Sequence, residues 1–132
     1  MALQYSESYR NALLDAFETT VGTSPKLQLR TGAQPATCAT ADSGTLIAAL
    51  TLPSDFMAAA SGGSKAKSGT WSGNASAGGT PEHFRIKDSG GTTCHMQGSV
   101  GQGSGDLSLD NTTITNGQLI TISTFTLTAP GA

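Results

Sequence analysis

At 132 residues the chain is the size of one ordinary domain, long enough to close a single core without an obligatory metal or disulfide staple. Only 12% of the residues are charged and the net charge is -2, so no basic face is available to neutralise a run of phosphates, which excludes nucleic acid as a partner. Aromatic residues make up 5%, and the weight of Gly, Ser, Thr and Ala favours compact strands and tight turns over a large helical core.

The opening "MALQYSESYRNALLDAF" has no cationic stretch followed by an apolar one, and no apolar run approaches the roughly 20 residues of a membrane span. The expectation is a soluble protein made without export and with no membrane partner. Within "SESYRNALLDAFETTVG", Tyr9, Leu13 and Phe17 fall one turn apart with Ala12, Leu14 and Ala16 beside them. Ser6 suits an N-cap, Glu7 the first turn and Gly22 a stop, which predicts one amphipathic helix over residues 6–21.

After "TSP" the period changes from helical to alternating. "KLQLRT" predicts a half-buried strand and "GTLIAALTLP" a second one ended by Pro53, with the turn-rich loop "GAQPATCATADS" between them. "SDFMAAAS" suggests a short helical turn capped by Ser54, and the glycine-rich "GGSKAKSGTWSGNASAGGTPE" a strand near Trp71 with mobile ends.

"HFRIKD" sends Phe84 and Ile86 to one face and His83, Arg85 and Lys87 to a polar face. "SGGT" then reverses the chain into "TCHMQGSV", making a hairpin. "GQGSG" reads as a further hairpin turn into "DLSLDN". "TITNGQLITISTFTLT" reads as a turn at Asn116-Gly117 and one long central strand, apolar on both faces. The class expected is all-β: a β-sandwich over residues 26–130, with a jelly roll as one version of it, and the helix as an N-terminal appendage in a single domain of residues 1–132.

Cys94 and His95 are adjacent, and in an extended strand adjacent side chains leave opposite faces, so the two cannot form a thiol–imidazole dyad. The expectation places Cys94 with Met96 and Val100 in the core, and His95 with Gln97 and Ser99 outside. Two buried free thiols are the favoured reading of Cys38 and Cys94, with a disulfide between them as the alternative that cytosolic synthesis opposes.

A metal on His83 and His95 across the hairpin is opposed by Arg85 and Lys87. No G-x-S-x-G occurs, "GGSKAKS" lacks P-loop spacing, and Asp106 with Asp110 read as solvated strand ends without an aromatic platform for sugars. The sequence therefore predicts no enzyme, with no catalytic residue, cofactor or metal.

Across nearly the whole chain, "MALQYS..YRNALLDAFETTVGTSPKLQLRTGAQPATCATADSGTLIAALTLPSDFMAAASGG", "HFRIKDSGGTTCHMQGSV" and "TFTLT" resemble small virion structural proteins of tailed bacteriophages. The resemblance implies a capsid cement or decoration protein that bridges neighbouring subunits of the major capsid protein on the outer shell. It also implies a jelly roll or related sandwich, self-association as a dimer or trimer, and a virion assembled in the host cytoplasm. A neck or tail subunit (adaptor, collar or fibre-associated) is the second version, and a carbohydrate-binding module contacting the host surface a third. The candidate partner contacts are Tyr5, Tyr9, Leu13 and Phe17, on a terminal helix able to dock on a neighbour, and Trp71; for each, covering or filling the chain's own core is the competing reading.

Overall fold

The computed structural model describes residues 3–132. The helix, α1, runs Glu7–Val21. The Ser6 side chain accepts the Tyr9 N–H at 3.1 Å, satisfying a donor that the first turn leaves free, and Gly22 closes the last turn at φ 87°. Two stripes fasten the helix. Leu14 and Val21 are buried, with Phe17 packed against the core beside them. The second stripe is polar: Glu7, Asn11 and Asp15 accept the N–H groups of Gly62, Gly63 and Ala60.

Nine short strands follow: β1 (Lys26–Arg30), β2 (Leu46–Thr51), β3 (Ser64–Ala66), β4 (Trp71–Asn74), β5 (His83–Lys87), β6 (Cys94–Gln102), β7 (Leu107–Leu109), β8 (Leu119–Ile122) and β9 (Thr126–Thr128). They form a five-stranded sheet in the order β2-β1-β5-β6-β7 and two two-stranded sheets, β3-β9 and β4-β8. The described residues are thus mostly sheet with one helix. The expected hairpin of "HFRIKD" and "TCHMQGSV" is present as β5 and β6.

The register of the large sheet explains its two faces. Leu50, Leu27, Ile86 and Met96 lie side by side across four strands, and Ala48, Leu29, Phe84 and Gly98 form the next row, all on the core side. Gln28, Arg85 and Gln97 form a row on the other side, with Lys26 and Lys87 next to it. That polar face was expected to meet solvent, yet His83, Arg85 and Lys87 are all buried. The reason is residues 31–45, which cross this face and cover it, so β5 is enclosed on both sides.

Other expectations are corrected by pairing. "SDFMAAAS" forms no helical turn; Met57 makes an isolated bridge to Lys67 instead. The segment read as a mobile end carries β3. "GQGSG" does not make a hairpin, because β7 runs parallel to β6, with Val100 beside Leu107. A parallel return normally takes a dozen residues. Here residues 103–106 suffice because Gly105 adopts φ 81° and its backbone presses so close to Gly101 that a Cβ would sit 3.0 Å from the Gly101 nitrogen.

The long central strand is two strands, β8 and β9, each paired on one side only. Burial alternates through Ile120 and Ile122 and then slips phase at Ser123-Thr124, which turns Phe125 inward and leaves Thr126 and Thr128 outside. A sequence count of every second residue misses such a slip.

One cluster of buried apolar residues joins the core face of the large sheet to β4, β8 and the segment around Phe56. All four phenylalanines and the single tryptophan form a chain of rings through it. Phe17 meets Phe56 edge-on at 6.2 Å, Phe56 meets Trp71 at 6.3 Å, Trp71 meets Phe125 at 5.5 Å, and Phe125 meets Phe84 edge-on at 5.8 Å. The Trp71 indole N–H is satisfied at 3.1 Å by each of the Phe56 and Ser68 carbonyls. The core therefore hangs on few aromatic side chains placed in series.

Candidate functional site

The Cys94–His95 step is the first place where the sequence invites chemistry. A β-bulge between Ile86 and Lys87 shifts the hairpin register, so that Met96 stays opposite Ile86 while Cys94 falls opposite Lys87. Cys94 and Met96 consequently lie on different faces, which corrects the expectation that both point into the core. The Cys94 thiol meets Cys38 of the covering loop, Sγ to Sγ 2.8 Å. His95 is not among the residues lining the adjoining cleft, which include Cys38, Thr40, Asp42, Arg85, Lys87 and Cys94.

His83 lies opposite Ser99, well along β6 from His95, and its Nδ1 contacts the Gly32 carbonyl at 2.8 Å. The hairpin therefore does not bring the two histidines together. Asp106 accepts from the Ser99 N–H and pairs with its hydroxyl, which ties it to the β6–β7 connection, whereas Asp110 lies on a separate groove with Gln102 and Thr121. The two carboxylates thus have different surroundings. Among the described residues no group of three or more His, Cys, Asp or Glu side chains could hold a metal ion, and no helix is long and apolar enough to cross a membrane.

Asp42 organises the covered face. Its carboxylate bonds Arg85 at 2.6 Å, Lys87 at 2.6 Å and Arg30 at 3.2 Å. Partial burial opposes its charge, but hydrogen bonds from Lys87 and Arg85 and the nearby Arg30 charge prevail and hold its pKa at about 2. Arg85 spends its remaining donors on Gln97, Thr37 and Cys38, and Gln97 bonds the Pro35 carbonyl. Arg30, Arg85 and Lys87 thus all converge on this one carboxylate. Asp42 was not singled out by sequence, though a signal existed: it is the only charge in residues 31–45, directly after a strand that carries Lys26 and Arg30.

The Cys94 thiol is pushed up to about 11, first by burial and then by its hydrogen bond to Cys38. A thiol so raised is a poor nucleophile at neutral pH.

The helix places the remaining candidates. Phe17 faces the core and Trp71 is fully buried within it, so both fill the chain's own interior as folded. Tyr5, Tyr9 and Leu13 stand outside at 36%, 49% and 40% exposure, with the two tyrosine rings edge-on at 5.0 Å. Leu3, also exposed, joins them in the first residues of the chain, and only Leu119 among the other large apolar side chains described is as open. Tyr5 is fixed by its N–H, which donates to the Gly131 carbonyl at 2.7 Å, and the helix by Arg10, which donates to the Ala129 carbonyl at 3.2 Å. The exposed group is thus mounted on a fastened support. No protein family, curated protein or solved structure matches the chain.

Proposed function

We propose that the chain is a non-enzymatic structural protein of a tailed-phage virion, a capsid cement or decoration subunit that binds the outer shell and bridges neighbouring major capsid subunits. The sequence resemblance supplies the class of protein. The observation that carries the contact surface is the sorting of the seven aromatic residues: five lie inside in one chain of rings, and both tyrosines lie outside together at the start of α1. In this reading Leu3, Tyr5, Tyr9 and Leu13 dock on the capsid, because tyrosines on a rigid support give contact area at small entropic cost.

The small sheets β3-β9 and β4-β8 act as the second layer of a β-sandwich of the jelly-roll kind, closed over the core face of the large sheet. Self-association as a dimer or trimer supplies avidity, so each chain needs only a modest share of a total contact on the order of 1,000 Å².

Counting copies per virion against the major capsid protein tests the assignment. A count on the order of hundreds is expected for a shell-covering subunit; about six or twelve would move the protein to a ring in the neck or tail. Binding of the isolated protein on a glycan array would replace the reading with a carbohydrate-binding module.

A further inference from the structure

We propose that Cys38 and Cys94 are the two halves of a reversible intramolecular disulfide that clamps the loop of residues 31–45 onto β6. The inference is independent of the proposed function, since it needs only the two thiols and the elements that carry them.

Two unrelated devices bring the sulfurs together. On one side the β-bulge at Ile86/Lys87 turns Cys94 away from the core and toward the loop. On the other, Arg85 donates to the Thr37 and Cys38 carbonyls at 3.0 and 3.1 Å while its Nη1 bonds Asp42, which pins the backbone on both sides of Cys38. Side chains 56 positions apart in sequence thereby meet at 2.8 Å in the thiol state. Both cysteines are partly exposed and line a cleft with Ala39, Thr40 and Thr92, through which a small reagent can reach them.

The oxidant is a low-molecular-weight disulfide such as oxidised glutathione, and the reaction is two successive exchanges. Cys38, which accepts the hydrogen bond from the Cys94 S–H, attacks as the thiolate, forms a mixed disulfide and expels one glutathione thiolate. Cys94 then loses its proton, attacks the Cys38 sulfur and expels the second glutathione. Two protein thiols and one glutathione disulfide become one protein disulfide and two glutathione thiols, which carry away both protons. In the mixed disulfide Cys38 no longer acts on Cys94 as a neighbouring thiol, which removes part of the cause that raises the Cys94 pKa.

The test uses the full chain, purified reduced and equilibrated in mixtures of reduced and oxidised glutathione. The expected product is a monomer two hydrogens lighter, with both thiols closed to maleimide, a Cys38–Cys94 link in its peptide map and recovery of both thiols on reduction. Its thermal midpoint should lie about 10 °C above that of the reduced chain. The same equilibrium measured in denaturing urea should favour the bond about a thousandfold less. The C38S/C94S chain should unfold like the reduced protein and ignore the redox mixture. Disulfide-linked dimers, a mixed disulfide that never resolves, thiols that stay free, or equal cross-linking in buffer and urea would each overturn the proposal. The urea comparison needs no variant, so it decides the matter even if the double substitution does not fold.

Discussion

Lys65 Nζ lies 2.6 Å from Asp15 Oδ1, with the lysine side chain 1% exposed and the aspartate 49% exposed. Glu18 meets the same ammonium at 2.9 Å. A buried cation on β3 is therefore neutralised entirely from the helix, and the polar stripe of α1 works as a latch. Hydrogen bonds from Lys65 and the Ala60 N–H hold Asp15 below the usual aspartate range, whereas burial of Lys65 is outweighed by its two carboxylates, which raise it.

The sign of the pH response follows from those directions. Asp15 is depressed on folding, so its contribution is complete above the ordinary value of 3.8 and is lost as pH falls through the lower folded one. Lys65 is raised, so its contribution is complete below 10.5 and is lost as pH rises through the higher folded value. Denaturant unfolding should show Asp15→Asn less stable than the parent at about pH 7, with the gap narrowing as pH falls below 3.8. A deficit that does not change with pH would mean that the charge pairing contributes nothing.

Asp42→Asn should be more damaging. It leaves Arg85 and Lys87 buried without their counter-charge, a loss of about 3 kcal/mol in chemical denaturation. Because the folded pKa is about 2, the parent should lose this contribution only as pH falls from about 3.8 toward that value, and the gap between the two proteins should close over that window.

Tyr9→Glu with Leu13→Glu separates surface from core. Both side chains are open, so stability should change by no more than about 0.5 kcal/mol, while binding to capsids that lack this protein should weaken by about tenfold or more in Kd. Trp71→Ala should show the opposite pattern, costing about 3–5 kcal/mol of stability by removing the middle of the ring chain. Unchanged capsid binding by the double glutamate chain would sink the assignment of the contact surface.

What the sequence made legible was local. Ser6 and Gly22 act on neighbouring backbone groups, so the helix ends could be placed within a residue, and alternation in "KLQLR" and "HFRIK" correctly sorted which side chains share a face. Alternation does not say what lies on each face, and so the burial of Arg85 and Lys87 beneath a loop was out of reach. The bulge that redirects Cys94 adds one unpaired residue, a change that no spacing rule registers. The row Tyr9, Leu13, Phe17 misled for a geometric reason: steps of four residues drift about 40° each around a helix, so Phe17 reaches the buried side while Tyr9 does not.

The ends of the large sheet also bear on how one chain meets another. β7 is three residues long, and on the opposite border the Ile47 carbonyl of β2 accepts the Ser76 N–H at 2.8 Å and that of Ala77 at 3.3 Å. On the first border β7 pairs only Val100–Gln102 of β6, and the other border is partly occupied. Both features shorten the ladder that a second chain could extend, which limits backbone pairing of the kind that drives amyloid-like aggregation.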